Sequence, residues 1–174
     1  TTLYDGSASV EVPLPAALSL ASAFKLRHDT TLEVVFERTY WSEYKELDFD
    51  YSVSNPLGGA FDAPIPKDWS DSNTLRLGLT HELNDQWTLM AGFAVDKSPA
   101  PKRTIGYELP ESDGKIISFG ARYKASKELE FAGGILYTKR EDLKLNASDM
   151  NDQGLIGTFS DAGALLVTVG AQYN

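Results

Sequence analysis

TLRLGLTHELNDQWTLMAGFAVD, residues 74–96, alternates apolar and polar side chains through two runs separated by a short polar stretch. In the first run Leu75, Leu77, Leu79, His81 and Leu83 share one phase, while Thr74, Arg76, Gly78, Thr80 and Glu82 share the other. In the second, Trp87, Leu89, Ala91, Phe93 and Val95 oppose Thr88, Met90, Gly92, Ala94 and Asp96. Successive side chains of a strand point to opposite faces, so period two segregates these residues, whereas a helical period scatters them around the axis. Asn84-Asp85-Gln86 then reads as a tight turn between antiparallel neighbours.

Outward from this hairpin the same alternation marks strands at about 16–26, 31–51, 74–83, 87–96, 115–124, 129–145 and 160–173, with an eighth at 9–13 that is either separate or the start of the first. Ile117, Phe119, Ala121 and Tyr123 oppose Ser118, Gly120, Arg122 and Lys124, and Leu165, Val167, Val169, Ala171 and Tyr173 oppose Leu166, Thr168, Gly170 and Gln172. Connections alternate between tight (27–30, 84–86, 125–128) and long (52–73, 98–114, 146–159). Long strands joined by short and long turns in alternation are the pattern of an outer-membrane barrel with periplasmic turns on one rim and extracellular loops on the other. That places Trp87, Tyr123 and Tyr173 at the short-turn rim, where aromatic rings suit the interface. A soluble sandwich or lipocalin-like barrel shares the alternation but has shorter strands. Within 31–51, Glu33, Val35, Glu37, Arg38 and Trp41 do not sort onto one polar face, which predicts a β-bulge near Arg38.

The 174 residues show no linker or composition shift and read as one unit, 42% hydrophobic with no run long enough for a spanning helix. In a barrel only alternate residues face lipid, so average hydropathy leaves membrane insertion open. Cysteine is absent, which removes disulfides and thiolate chemistry, and the net charge of −9 argues against a nucleic-acid groove. A basic, then apolar, leader is missing at Thr1, so either a signal has been removed or the sequence starts inside a longer protein. Neither His28, in a tight turn, nor His81, on an apolar phase, stands at a spacing from Ser and an acid that nominates a nucleophile. The acids around Asp149 and Asp152 lack the regular oxygen spacing of a calcium loop and read as solvated.

With this layout, the proline-punctuated loop at 96–113 resembles the FadL/TodX family of outer-membrane transporters for long-chain fatty acids and aromatic hydrocarbons. Asp96-Lys97-Ser98-Pro99-Ala100-Pro101 is similar to its Asp-x-Ser-Pro-x-Pro, and Leu109-Pro110-Glu111-Ser112-Asp113 to its apolar-Pro-acid-x-Asp before the next strand. Leu14-Pro15, Tyr40-Trp41-Ser42-Glu43-Tyr44 and the aromatic-led stretch from Trp69 to Gly78 follow the family's order. The resemblance implies a fourteen-stranded barrel plugged by an N-terminal hatch and opening sideways through its wall. This chain, residues 1–174 as a single barrel unit, would supply about the last seven or eight strands, without the hatch, its Asn-Pro-Ala motif or the strands of the lateral opening. Ending at Tyr173-Asn174 rather than on an aromatic residue, it reads as a C-terminal fragment.

The expected fold is thus all-β, an antiparallel up-and-down meander that is part of, or closed as, an outer-membrane barrel. Two raw edges in lipid are not tolerated, so the chain is expected to close into a smaller barrel, pair with a missing N-terminal half or another copy of itself, or fold as a soluble module. The function expected is passive uptake of a hydrophobic small molecule in contact with outer-membrane lipid, with no enzyme activity, nucleic acid, metal or cofactor. The alternatives are a small autonomous barrel acting as a structural or lipid-binding module and a lipid-modifying barrel enzyme. A carboxylate substrate needs a cation, preferably the donor fork of Arg. The candidates are Arg76, Arg122 and Arg140 on inward phases and Lys67 in the long loop, where the family places a binding lysine shortly before the strand. Phe61, Ile65 and Trp69 are the candidate contacts for an apolar tail. Glycine at Gly78, Gly92, Gly120, Gly134 and Gly170 lies on the inward phase, either for close approach of a plug or flat ligand or for relief of curvature.

Overall fold

The computed structural model describes residues 6–52 and 63–173. In chain order the strands are β1 (Ala8–Val10), β2 (Ala17–Arg27), β3 (Thr30–Thr39), β4 (Glu46–Leu47), β5 (Phe49–Tyr51), β6 (Ile65–Pro66), β7 (Ser72–Glu82), β8 (Trp87–Asp96), β9 (Gly114–Lys124), β10 (Leu129–Arg140), β11 (Leu143–Leu145), β12 (Gly157–Phe159) and β13 (Gly163–Tyr173). The seven long ones form one antiparallel sheet in the order β13-β10-β9-β8-β7-β3-β2, a meander in which every sequential pair is also a spatial pair. The short strands make two-stranded ribbons, β1 with β5, β4 with β6 and β11 with β12, beyond the long-connection rim.

Register shows how the sequence sorts its faces. Leu77 stands opposite Val34 and Phe93, Phe93 opposite Ile117, and Ile117 opposite Tyr137, which faces Leu165. The neighbouring row on the other face runs Ala23, Glu33, Gly78, Gly92, Ser118, Leu136 and Leu166. One face is therefore a continuous apolar wall, and the other mixes small and polar residues with a few larger apolar ones. The apolar side chains remain exposed, Phe93 by 43%, Phe119 by 59% and Val167 by 70%, so in water this face would forfeit the stabilisation that apolar burial supplies. At about 3.3 Å per residue and the tilt usual in barrels, strands of 10 to 12 residues reach across a hydrocarbon core.

Tight turns are closed by their own side chains. Asn84 Oδ1 accepts the Gln86 and Trp87 N–H groups, each at 2.9 Å, and Ser126 Oγ accepts those of Glu128 and Leu129, each at 3.1 Å. At this rim the Trp87 and Tyr123 rings, from paired positions, lie 4.7 Å apart, and Tyr173 pairs with Leu129.

Three expectations are corrected. Pairing runs regularly through Arg38, which opposes Leu18 on one side and Asn73 on the other, so the bulge lies instead on β2 between Lys25 and Arg27. Glu33, Val35 and Glu37 all face inward, while Arg38 belongs to the outer phase at the loop rim and binds Asp71 at 3.0 Å. The long strand expected over 31–51 ends at Thr39, because a 3-10 turn at Trp41–Glu43 redirects the chain and packs Trp41, Tyr44 and Trp69 together, with centroids 4.9 to 6.5 Å apart. The strand expected over 129–145 breaks after Arg140, and β11 restarts in a loop ribbon. The segment at 9–13 is the separate β1, paired with β5 rather than with the sheet.

Candidate functional site

The inward face carries a trough of about 560 Å³ spanning β3, β7, β8, β9, β10 and β13. Its floor is Gly78, Gly92, Gly120 and Gly134, with Thr80, Ser118 and Thr168 as hydroxyls, Met90, Leu136 and Leu166 as apolar walls, and Glu33 at one side. Space accounts for the glycine at Gly92 but leaves room for a Cβ at Gly120. A Cβ on Gly92 would stand 2.5 Å from Ser118 Oγ, and one on Gly120 would meet Met90 Cε at 3.4 Å. An adjoining hollow along the same face runs past Val35, Arg76, Ala94 and Ile116 towards the loops.

Inward charges are mostly held in pairs. Arg76 binds Glu37 at 3.0 Å and Arg122 binds Glu130 at 3.4 Å. Arg140 at the loop rim reaches Glu111 at 2.5 Å, the Ser112 carbonyl at 2.6 Å and Asp96 at 3.5 Å, while Asp96 also accepts the Thr74 hydroxyl at 2.7 Å. Burial pushes the Glu111 carboxyl above its ordinary pKa, against the pull of the Arg140 charge, and the neighbouring Asp96 charge adds to the rise.

Above this face the long connections form a packed cap. Its centre is Ile105 from loop 97–113 and Leu143, Leu145 and Leu155 from loop 141–162, with Ala100 and Phe159 against them. Asn151 joins the two loops, its Nδ2 donating to the carbonyls of Lys102 and Ile105 and its Oδ1 accepting from the Gln153 and Leu155 N–H groups. Asp149 and Asp152, expected to be solvated, instead pair with Lys102 at 3.8 Å and Arg103 at 3.0 Å. Proximity of opposite charges on facing loops is the cause, and the sequence does not show which loops face. The base of loop 97–113 is closed by the ion pair between Lys97 and Asp113, whose other oxygen accepts the Ser98 N–H at 3.0 Å. Burial opposes ionisation of Asp113, but the Lys97 hydrogen bond, the Ser98 amide and the nearby positive charges outweigh it and hold the pKa low.

The residues selected from sequence divide between wall and cap. Arg76, Arg122 and Arg140 face inward as their phases require, each with an acid partner. Lys67 is buried at 7% exposure, with its ammonium 2.7 Å from Glu108 and its carbonyl accepting the Thr104 hydroxyl at 2.5 Å. Burial raises the Glu108 pKa, yet the Lys67 hydrogen bond and charge and the loop backbone hold it below the ordinary value. Trp69 belongs to the aromatic trio and Ile65 to the β4–β6 ribbon, whereas Phe61 lies outside the described residues. Lys67, Ile65 and Trp69 are thus cap residues, and the three arginines are wall residues. Glu33 and the loop core were not selected. Regular alternation across 30–39 was the available signal for the first, and Leu143-Lys144-Leu145 followed by the Asn146–Asp149 capping box for the second.

Comparison with known proteins gives a consistent result. The family model described as outer membrane protein transport protein (OMPP1/FadL/TodX) matches residues 2–174. A long-chain fatty acid transport protein of Salmonella typhi is 27% identical over 108 residues, covering 62% of this chain and 24% of that protein. Outer membrane protein P1 of Haemophilus influenzae Rd is 24% identical over 160 residues, covering 92% of this chain and 32% of its own length. Among solved structures, a Pseudomonas aeruginosa FadL homologue shares the fold with a TM-score of 0.72 at 23% identity, covering 96% of this chain and 35% of that one. The Pseudomonas putida toluene transporter TodX does so with a TM-score of 0.62 at 18% identity, covering 95% and 36%. The chain spans only about a quarter to a third of the length of these relatives.

Proposed function

The chain belongs to the OMPP1/FadL/TodX family of outer-membrane transport proteins, and from that premise we propose that its seven-stranded sheet is one wall of a larger outer-membrane barrel that lets hydrophobic small molecules pass inward passively. The observation that carries the reading is the division of the sheet into an exposed apolar face and an inward face with a 560 Å³ trough. Lipid solvates the first at no cost, and the second offers a partly apolar path below the capped loops. Long-chain fatty acids and aromatic hydrocarbons are the substrate classes that follow from the family.

Strands β2 and β13 each leave one edge without a partner strand among the described residues. Unpaired backbone groups in hydrocarbon cost several kcal/mol each by general estimate, roughly the value for an unsatisfied polar group. This supports completion of the barrel by further strands, from the rest of a longer chain or from another copy. In this reading residues 1–174 form a single unit, the C-terminal portion of the barrel. Arg76, Arg122 and Arg140 line the route with their charges held by acids, while Lys67, Ile65 and Trp69 shape the mouth through the cap. Phe61 is assigned to the same mouth by its place in the sequence. The path needs no bond-making group.

Uptake of a hydrophobic probe by cells producing the full-length protein tests this. Gly134→Leu points into the trough, where a Cβ meets Thr168 Cγ2 at 3.4 Å, and is expected to lower uptake at least about fivefold, equivalent to ~1 kcal/mol. Ala121→Leu lies on the opposite face, in the row of Leu89, and is expected to leave uptake unchanged. Equal effects of the two substitutions would refute the assignment of faces.

A further inference from the structure

The three inward arginines are already neutralised: Arg76 by Glu37, Arg122 by Glu130, and Arg140 by Asp96 and Glu111. One inward charge at mid-wall is not. Among the described residues the Glu33 carboxylate makes no hydrogen bond or ion pair, and Glu33 shares a row with Gly78, Gly92 and Ser118. Its carboxylate leans across Gly78, where a Cβ would stand 3.6 Å from Oε2, and it lines both the trough and the hollow that continues towards the loops. The two inward lysines lie elsewhere. Lys25 is on the edge strand, opposite Thr31 and one row nearer the tight turn, and Lys124 is at the turn rim, so neither lines the trough. Residues 1–5, 53–62 and 174 contain no Lys or Arg.

We propose that Glu33 sets the charge class of the molecule that this wall accepts: an uncharged hydrophobe bearing a hydroxyl donor, such as a phenol or an alkanol, in preference to a carboxylate of the same size. The inference rests on the transport reading above and narrows it. An O–H donated to an ionised carboxylate is a charge-assisted hydrogen bond, stronger than its neutral counterpart. A second carboxylate in the same trough meets like charge with no cation among the described residues that line it, and the apolar surroundings reduce screening. Ser118, in the same row, adds a neutral hydroxyl that can pair with the substrate oxygen without altering this balance.

The test uses the full-length protein in a non-ionic detergent, titrated at neutral pH with 2-naphthol and with 2-naphthoate and corrected against empty micelles. The two probes share a ring system and differ in charge. The naphthol is expected to bind at least about tenfold more tightly, a difference of ~1.4 kcal/mol. Glu33→Gln brings the two affinities within about threefold, or ~0.7 kcal/mol. Glu37→Gln, which releases Arg76, strengthens naphthoate binding about tenfold and leaves naphthol unchanged. Wild-type protein that binds naphthoate as tightly as naphthol, or a ratio unmoved by Glu33→Gln, overturns the assignment and leaves the transport reading standing. Absence of saturable binding of either probe overturns both.

Discussion

Replacing Arg140 with Met removes the charge that joins the last long loop to the preceding one while keeping the stem packed over Gly114, where Arg140 Cδ would lie 3.3 Å from an added Cβ. Three acceptors lose their donor: Glu111 Oε1 at 2.5 Å, the Ser112 carbonyl at 2.6 Å and Asp96 Oδ2 at 3.5 Å. The Arg140 and Asp96 side chains are each 32% exposed and that of Glu111 18%, so the full value of a buried charged hydrogen bond does not apply. About 1 kcal/mol for Glu111, about 0.7 for the carbonyl and a few tenths for Asp96 give a loss of ~2 kcal/mol. A loss of that size raises the population of the locally opened loop base about thirtyfold. Hydrogen exchange reads it directly. The amides of Ser98 and Glu141, bonded to Asp113 at 3.0 and 2.7 Å, should exchange about thirtyfold faster in full-length Arg140→Met, while those of β8 and β9 stay as in the parent. Unchanged loop amides, or equal acceleration throughout the sheet, would refute the idea of a local clamp.

Leu145, 1% exposed at the centre of the cap, should cost ~3 kcal/mol as Ala, seen as faster exchange of the Leu155 amide without loss of the β7–β10 ladder. Acidification should act on the cap in two opposed steps. The raised Glu111 pKa means that its charged form is penalised in the folded state, a penalty relieved as pH falls through that value towards the unfolded one. Asp113 and Glu108, held low, contribute stability that is complete above the unfolded carboxylate value and lost as pH falls through their lower folded values. Emission from Trp41 and Trp69, followed with Trp87 and any tryptophan outside residues 1–174 replaced by Phe, should hold steady or sharpen through the upper carboxylate range and shift only below about pH 4. A shift complete above that range would contradict the assignment.

The sheet was legible because its faces obey different solvents. Thr74 to Asp96 and Gly114 to Lys124 carry the alternation with little interruption, and their expected bounds agree with the observed strands to within two residues. Residues 31–51 misled because Glu33, Glu37 and Arg38 are all charged. The first two face the inner wall, and Arg38 sits at the loop rim, where an outward charge meets Asp71 instead of lipid. Hydrophobicity alone does not separate those depths. The inward arginines followed from phase, whereas their acid partners depend on rows that only register defines. Least legible was the cap, where Ile105 meets Leu145 and Asn151 bridges two loops far apart in sequence.

The central claim, that this sheet separates lipid from lumen, is tested most directly by single cysteines along β9, where these 174 residues contain none and any cysteine elsewhere in the full-length protein is first replaced. Spin labels at 116 to 121 in the full-length protein reconstituted in bilayers would be compared for collision with oxygen and with a polar nickel chelate. Positions 117, 119 and 121 should favour oxygen and 116, 118 and 120 the chelate, reversing at every residue. Accessibility that varies smoothly along the strand, or chelate contact throughout, would contradict the account.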